Sequence, residues 1–326
     1  MRYLWLLLFI SAVGLIHPQQ KGFFSTEGKE ILDPQGKPVL LKGIALGNWL
    51  VPEGYMFKFE KVSSPRLIYD LFDILLGERE AEKFWNKFRT DYITHEDIKF
   101  LKKCGFNSIR IPFNYRLFVT DDEKQELTGP GYALLDSAVK WCREENLPVV
   151  LDMHCAPGGQ TGDNIDDSYG YPFLFESEEN INLTIKIWTK LADTYKNDPI
   201  VIGYDLLNEP IAHYFDNDKL NPLLEPFFKR LTAAIRTVDK NHIIFIAGAQ
   251  WNSNFSVFGK PFDDNLVYTF QKYWTPATKD VVQDYIDFGE KYQVPIWMGE
   301  SGENTNEWIT EFRTMLEKEN IGWCFW

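Results

Sequence analysis

Residues 200–207 read Ile-Val-Ile-Gly-Tyr-Asp-Leu-Leu and run directly into Asn208-Glu209-Pro210. The run is short, mostly apolar and rich in β-branched residues, which predicts a buried strand of a parallel sheet. Segments with helical spacing stand on both sides of it, Glu178–Tyr195 before and Leu220–Val238 after. A short strand between two helices indicates an α/β fold.

The same pattern recurs along the chain. Seven further runs are strand candidates: Val39–Ile44, Asn107–Ile111, Pro148–Met153, Ile243–Ala247, Leu266–Phe270, Pro295–Met298 and Ile321–Trp326. The other segments with helical spacing are Thr94–Cys104, Tyr132–Glu145, Lys279–Tyr292 and Asn306–Glu319. Eight strands that alternate with helices predict an eight-stranded TIM (β/α)8 barrel. An open doubly wound sheet would carry a GxGxxG loop after its first strand, and the chain has none there.

The chain begins with a positively charged residue and an apolar run, followed by small residues. This pattern predicts a signal peptide over residues 1–17, and therefore a secreted or periplasmic protein without a membrane attachment after cleavage. A buried N-terminal strand is the alternative. Residues 18–326 are predicted to form the barrel domain.

Additions to the barrel are predicted near both ends of the chain. Turn residues at Asp33-Pro34-Gln35-Gly36, between Phe23–Leu32 and Val39–Ile44, predict a small N-terminal hairpin. Val51–Asp91 is acidic and aromatic and is interpreted as a top loop with short helices. No helix follows Trp326. We therefore expect a C-terminal truncation that removes the last helix of the barrel, unless the hairpin or a partner covers the final strand.

The composition narrows the class of function. Hydrophobic residues make up 44% and charged residues 25% of the chain, as in soluble globular proteins. The formal net charge of −13 disfavours nucleic acid as a partner. Aromatic residues reach 16%, and rings that the core does not need are suited to stacking on sugars. The four Cys residues lack zinc-ligand spacing and a disulfide pattern, so we predict no metal site and expect buried thiols.

Polar residues at the carboxyl ends of the predicted strands are the candidates for function, because reactive groups of such barrels lie there. They are Arg110, His154, Asn208, Glu209, Gln271, Tyr273, Glu300 and Trp326. Glu209 and Glu300 end otherwise apolar strands, where a charge is costly without a task. Two Glu residues across one pocket are suited to glycoside hydrolysis, in which one protonates the leaving oxygen and the other attacks the anomeric carbon.

Four motifs extend this interpretation to a family. Tyr204-Asp205-Leu206-Leu207-Asn208-Glu209-Pro210 is accompanied by three others: Ile109-Arg110-Ile111-Pro112-Phe113, Asp152-Met153-His154 and Trp297-Met298-Gly299-Glu300-Ser301. As an ordered set, each at a strand end, they resemble glycoside hydrolase family 5, the cellulase and exo-glucanase family of the large retaining-glycosidase barrel clan. The resemblance runs from about Phe24 to Trp326.

The resemblance implies a role for each site residue. Glu209 would be the general acid/base and Glu300 the nucleophile, while Asn208 would hold the sugar 2-hydroxyl. Arg110 would keep Glu300 ionised and Tyr273 would orient it. His154 and Trp326 would line the subsite of the reacting sugar. The segment from Leu46 to Glu53, which contains Asn48, resembles the first-strand loop of the exo-glucanase branch, where an acid binds the terminal glucose; Glu53 is that candidate.

One position departs from the family. Gln271 stands where the family usually has His, and an amide keeps hydrogen bonds but cannot carry charge. We therefore expect reduced activity and not a complete loss of activity. A salt bridge to Asp152 or Asp205 is the alternative role for Arg110. Trp251, Trp274, Tyr55 and Phe57 are candidates for sugar stacking or, equally, for packing.

The predicted function is cleavage of β-glucosidic bonds in β-glucan or a related β-linked glycan, by two Glu residues and without a metal or organic cofactor. The predicted partner is an oligo- or polysaccharide. Two alternatives stay open: a β-mannanase or glycolipid glycosidase of the same family, and a barrel that binds glycans without cleaving them. Linkage, endo or exo action and oligomeric state are not predicted.

Overall fold

The computed structural model describes residues 22–120 and 126–326, so the predicted signal peptide lies outside the described residues. The strands are β1 (Ser25–Glu27), β2 (Glu30–Leu32), β3 (Lys42–Ala45), β4 (Ser108–Asn114), β5 (Val149–Cys155), β6 (Val201–Asp205), β7 (Ile243–Ala247), β8 (Leu266–Tyr273), β9 (Ile296–Gly302) and β10 (Gly322–Phe325). The helices are α1 (Pro65–Leu76), α2 (Glu78–Asp91), α3 (His95–Lys103), α4 (Gly131–Glu144), α5 (Glu178–Tyr195), α6 (Asn217–Ile235), α7 (Ala249–Asn252), α8 (Gln283–Tyr292) and α9 (Asn306–Lys318).

Strands β3 to β10 form a closed parallel barrel in the order β10-β3-β4-β5-β6-β7-β8-β9. Closure is made by β10, whose Trp323, Cys324 and Phe325 pair with Lys42, Gly43 and Ile44 of β3. A two-stranded antiparallel hairpin, β1-β2, precedes the barrel. The predicted fold class, an eight-stranded TIM barrel with a small N-terminal hairpin, is confirmed.

Side chains alternate along each strand between the inside of the barrel and the helices around it, so the structure has an inner and an outer core. On β5, Val149, Leu151 and Met153 belong to the large cluster that packs against the helices, whereas Val150 belongs to a smaller cluster inside the barrel. Further along the inward face of β5 come Asp152 and His154, both buried. The barrel interior therefore changes from apolar to polar toward the carboxyl ends of the strands, which is where a site can form.

Local signals in the sequence account for the helix ends. In α3, the Asp97 carboxylate accepts a 2.7 Å hydrogen bond from the backbone N–H of Thr94, the capping interaction that their spacing predicts. Gly105 follows α3 with φ of 93°, a left-handed conformation that suits glycine. The Ser177 side chain accepts a hydrogen bond from the backbone N–H of Asn180 and so begins α5.

Three expectations were wrong in detail. The predicted turn at Asp33–Gly36 is present, and Pro38 bridges back to Leu32 across it, but the regular hairpin β1-β2 turns at Gly28, and Val39–Ile44 contributes to β3 of the barrel. The segment Val51–Asp91 holds two regular helices of 12 and 14 residues, α1 and α2, not short ones. Cys104 is exposed, whereas the other three Cys residues are buried as expected.

Candidate active site

A cavity of about 660 Å³ opens at the carboxyl ends of the barrel strands. Seven predicted site residues line it: Glu53, His154, Glu209, Gln271, Tyr273, Glu300 and Trp326. Arg110 and Asn208 are fully buried and bind the lining side chains directly. A second cavity, of about 970 Å³, lies at the opposite end of the barrel near Asp33, Pro148 and Ile200, and none of the predicted site residues lines it.

Arg110 on β4 connects the inward-facing acids. Its Nη1 donates to Glu300 Oε1 at 2.8 Å, its Nε donates to Asp205 Oδ2 at 3.0 Å, and its Nη2 lies 3.1 Å from Asp152 Oδ2. Nη2 also donates to Asn208 Oδ1 at 2.9 Å. Burial raises the pKa of both Asp residues to about 7, against the lowering effect of Arg110. Arg110 therefore binds Glu300 and both aspartates that the sequence analysis offered as alternative partners.

His154 is fixed on three sides. Its Nδ1 is 2.9 Å from Asp152 Oδ2, its Nε2 is 3.2 Å from Asn208 Nδ2, and its ring stacks on Trp326 with centroids 4.9 Å apart. Burial lowers the pKa of His154 to about 3, so the imidazole is neutral. Trp326 Nε1 donates to the Tyr55 hydroxyl at 2.9 Å. These contacts give one wall of the cavity a rigid aromatic face.

Gln271 lies between the two candidate catalytic carboxyls. One atom of its amide is 2.7 Å from Asn208 Oδ1. The other, outer atom is 3.0 Å from Glu300 Oε2 and within hydrogen-bond contact of Glu209 Oε1. Because both carboxyls reach a single atom, their nearest oxygens are at most about 6 Å apart, two hydrogen-bond lengths. The carboxyls of Glu209 and Glu300 are therefore close neighbours.

Burial raises the pKa of the acids around the cavity, and their neighbours modify the effect differently for each acid. Burial raises the pKa of Glu209 well above its ordinary value, and the charges of Glu300 and Glu53 raise it further. Burial also raises the pKa of Glu300, although the Arg110 guanidinium, which donates to it, opposes the effect. Burial, with Glu300 and Glu303, raises the pKa of Glu53 to about 8. Of the two neighbouring carboxyls, Glu209 is the one without an ion pair to Arg110 among the described residues, and it holds a proton more firmly.

Backbone in the left-handed region surrounds Glu209. Glu209 has φ of 45°, an unusual value for a residue with a side chain, and its N–H donates to Asn252 Oδ1 at 3.0 Å. Asn252 itself follows Gln250 and Trp251, and all three have φ between 49° and 59°. The strained run of α7 thus places Trp251 on the cavity wall and Asn252 under Glu209.

The remaining predicted residues lie close to the cavity. Asn48 is buried with φ of 61°, and its Oδ1 accepts from the backbone N–H of Glu53 at 3.0 Å, so it supports the loop that carries Glu53 and does not line the cavity. Tyr273, at the end of β8, pairs in register with Gly302 of β9 and is half-buried. The stacking candidates Trp251, Trp274 and Tyr55 line the cavity, whereas Phe57 packs on Trp85 and Phe88 between α1 and α2.

Several lining residues were missed by the sequence analysis. Asp163 and Glu303 are on loops after β5 and β9, and Lys272 separates Gln271 from Tyr273. Gln160 supports the site from below, since its Nε2 donates to the carbonyl oxygens of His154 and Asn208 at 2.7 and 2.8 Å. Glu303 lies three residues after Glu300, and this short distance from a strand end is the signal that could have identified it as a cavity residue. The glycines around Gln160 and Asp163 are the sequence feature that could have predicted a folded loop above the barrel at this place.

Within residues 22–120 and 126–326, no helix is both long enough and apolar enough to span a bilayer. In the same residues, no three His, Cys, Asp or Glu side chains are grouped as they would be around a metal ion.

Comparisons with known proteins agree with the geometry. Residues 75–326 match the model of the cellulase family, glycosyl hydrolase family 5. The chain is 32% identical to a β-xylosidase of Phanerodontia chrysosporium over 82% of this chain and 52% of that one. It is 30% identical to a sporulation-specific glucan 1,3-β-glucosidase of Saccharomyces cerevisiae, over 73% of this chain and 54% of that one.

The chain thus spans about half the length of the curated relatives it matches. Among solved structures, an endogalactoceramidase superposes with a TM-score of 0.70 at 18% identity, covering 93% of this chain and 74% of that one, which shows a shared fold. The family match covers most of the chain and includes the four strand-end motifs. The chain therefore belongs to the cellulase family, glycosyl hydrolase family 5.

Proposed function

We propose that the protein is a retaining glycoside hydrolase that cleaves β-glucosidic bonds in β-glucan or a related β-linked glycan. The observation that carries the proposal is the contact of Glu209 and Glu300 with the same atom of Gln271. Retaining enzymes hold their two carboxyls about 5 to 5.5 Å apart, whereas inverting enzymes leave about 6.5 to 9.5 Å for a water molecule. The upper bound of about 6 Å supports the retaining arrangement.

The different surroundings of the two carboxyls support their roles. Glu300 accepts a hydrogen bond from Arg110, which favours the ionised form that a nucleophile needs. Glu209 has the more strongly raised pKa and is suited to protonate the leaving oxygen. After glycosyl transfer to Glu300, the ionised Glu209 accepts a proton from the attacking water, and the glycosyl–enzyme bond breaks.

The buried residues beneath the two acids are suited to the sugar of the reacting subsite. We infer that Asn208, held by Arg110 and His154, presents its amide to the 2-hydroxyl, an interaction that strengthens in the transition state. Trp326, stacked on His154, offers a flat apolar surface to the sugar ring. Glu53 lines the same cavity and would bind further hydroxyls.

The substrate class rests on the family and on names of relatives. A relative named as a glucan 1,3-β-glucosidase matches 73% of the chain. We infer a β-linked glucan because the strand-end motifs resemble the cellulase and exo-glucanase family. A relative named as a β-xylosidase matches 82% of the chain, so an aryl β-xyloside belongs among the test substrates.

Hydrolysis of an aryl β-glucoside and an aryl β-cellobioside tests the proposal. We expect turnover, with the β-anomer as first product by proton NMR, and loss of turnover in Glu300→Gln. Binding of laminari- or cello-oligosaccharides without turnover would identify a glycan-binding barrel instead. A product profile on β-1,3 and β-1,4 oligosaccharides then assigns the linkage.

A further inference from the structure

The side-chain amide of Asn208 can take only one orientation. Arg110 Nη2 donates to Asn208 Oδ1, and a guanidinium group has no acceptor atom. On the other side, Asn208 Nδ2 faces His154 Nε2. His154 is neutral and its Nδ1 is directed at Asp152, so Nε2 is left as an acceptor. Asn208 Oδ1 is therefore the hydrogen-bond acceptor of this amide, and Asn208 Nδ2 is its donor.

This arrangement also fixes the amide of Gln271. The atom that lies 2.7 Å from Asn208 Oδ1 must be the donor, Nε2. The carbonyl oxygen of Gln271 then faces the carboxyls of Glu209 and Glu300. The carbonyl oxygen of Gln271 is then within hydrogen-bond contact of both Glu209 Oε1 and Glu300 Oε2, with Gln271 in the centre. Oxygen atoms this close repel each other unless a proton lies between two of them and forms a hydrogen bond.

The proton belongs to Glu209. Glu300 is already held by the Arg110 guanidinium at 2.8 Å, which favours its ionised form. The charged or titratable groups that face Glu209 are predominantly acidic: Glu53, Asp163, Tyr273, Glu300 and Arg110. An additional negative charge at Glu209 would be repelled by these acids, whereas a carboxylic acid there donates to the nearest oxygen, that of Gln271.

We propose that Gln271 is a positioning residue whose carbonyl oxygen accepts a hydrogen bond from protonated Glu209, and that Arg110, Asn208 and Gln271 together keep the proton on this acid in the resting protein. The hydrogen-bond pattern follows from the contacts around Asn208 and Gln271, while its use in catalysis rests on the proposed function. Because an amide does not titrate, Gln271 retains this polarity at any pH at which the protein is folded. A His at this position could itself take the proton.

The opposite orientation of the Gln271 amide makes the opposite prediction. Its NH2 group would donate to both carboxylates, and its oxygen would face Asn208 Oδ1. In that case Gln271 would stabilise ionised Glu209 and lower its pKa. The two orientations therefore differ in the sign of the effect when the amide is removed.

The test is a carbon-13 NMR titration of substrate-free protein labelled at the Glu side-chain carboxyl carbons, with the Glu209 signal assigned by its loss in Glu209→Gln. In Gln271→Met, we expect the pKa of Glu209 to fall by about one pH unit, the value of one hydrogen bond. A thioether in place of the amide would by itself raise the pKa of a neighbouring carboxyl, so a fall isolates the lost acceptor. A rise, or no change, would overturn the proposal. Gln271→Leu, which has no acceptor atom where Met keeps a weak one, repeats the measurement and replaces it if the Met variant does not fold.

The pH profile of kcat/KM gives a second, catalytic readout. Its basic limb reports the acid of the free enzyme, so the limb should move to lower pH by about the same amount in Gln271→Met. Gln283→Met is the matched control, because Gln283 lies on α8 and its amide donates to Asp287 and not to the two acids; its basic limb should stay in place. Absence of any turnover would contradict the proposed function and leave the NMR titration as a valid test of Gln271.

Discussion

Arg110 Nη1 donates a 2.8 Å hydrogen bond to Glu300 Oε1, while Glu209, its close neighbour across Gln271, forms no ion pair with Arg110 among the described residues. One cation therefore distinguishes two carboxyls of the same type that line the same cavity. This asymmetry is the physical basis for giving them different roles.

Removal of each Glu should give products of opposite anomeric configuration in the presence of azide. Glu300→Gly should lose at least about 10⁴-fold in kcat and regain turnover with azide to give an α-glycosyl azide, since azide attacks from the face of the missing nucleophile. Glu209→Gly, with an aryl substrate that needs little protonation, should give the β-glycosyl azide. NMR of the products checks the assignment, and exchanged configurations would reverse the two roles.

Glu53 should make the stability of the protein depend on pH. Its pKa is raised to about 8 in the folded state, so its contribution to stability is complete below about pH 4.5 and is lost as the pH rises through 8. Glu53→Gln should therefore have a higher Tm than the parent at pH 9, by a few degrees, and an equal Tm at pH 4. Each kcal/mol corresponds to about 2 to 4 °C.

Differential scanning calorimetry at the two pH values measures this difference. The matched control is Glu311→Gln, an exposed residue of α9, whose effect on Tm should be the same at both. A Glu53→Gln variant that is less stable than the parent at pH 9 would show that the ionised carboxylate has a stabilising partner.

Two tryptophans on the cavity wall should affect long substrates selectively. Trp251 and Trp274 line the cavity, and Trp274 is 72% exposed. With the value of an aromatic pair, about 0.5 to 1.5 kcal/mol, taken for a ring stacked on a sugar, Trp251→Ala and Trp274→Ala should each raise KM for oligosaccharides by about 2- to 13-fold. KM for an aryl monoglucoside should change less.

The control for this experiment is Trp141→Ala on α4, where the indole stacks against His95 on the outside of the barrel. It should leave both KM values in place. An equal rise of KM for the short and the long substrate would mean that the two indoles position the site and do not bind extra sugar units.

Gly203 and Gly299 should respond differently to alanine. A Cβ at Gly203 of β6 would collide with the backbone carbonyl of Ile243 on β7, whereas a Cβ at Gly299 of β9 would meet its nearest atom, Thr269 Cβ, at 3.5 Å. Gly203→Ala should therefore cost about 1 to 3 kcal/mol, and Gly299→Ala should cost little. Urea unfolding of both variants checks the contrast, and equal stabilities would refute it.

The sequence was sufficient for the order of the barrel and less so for the length of its strands. β7 was predicted with the bounds that it has, because Ile243–Ala247 is apolar throughout. β8 was predicted to end at Phe270 but continues to Tyr273. Its last residues are polar and pair with β9 after a register shift at Phe270 and Gln271, and hydropathy cannot detect a ladder made by polar residues.

The site was predictable where a strand end carried it. Glu209 and Glu300 were identified because charge is unusual after a buried strand. Asp163 was missed because an acidic residue on a loop has no such signal. The support that Asn48 gives to Glu53, and the hydrogen-bond polarity of Gln271, depend on which atoms face each other in space. No spacing in the sequence contains that information.

The pairing of β10 with β3 has a consequence for biosynthesis. The two strands are separated by most of the chain, and contacts of such long sequence separation form late and slowly. Trp326 follows β10 and stacks on His154, while Glu53 follows β3. On the ribosome, a nascent chain therefore cannot assemble the complete cavity until β10 has emerged, so appearance of the cavity reports that the ring has closed.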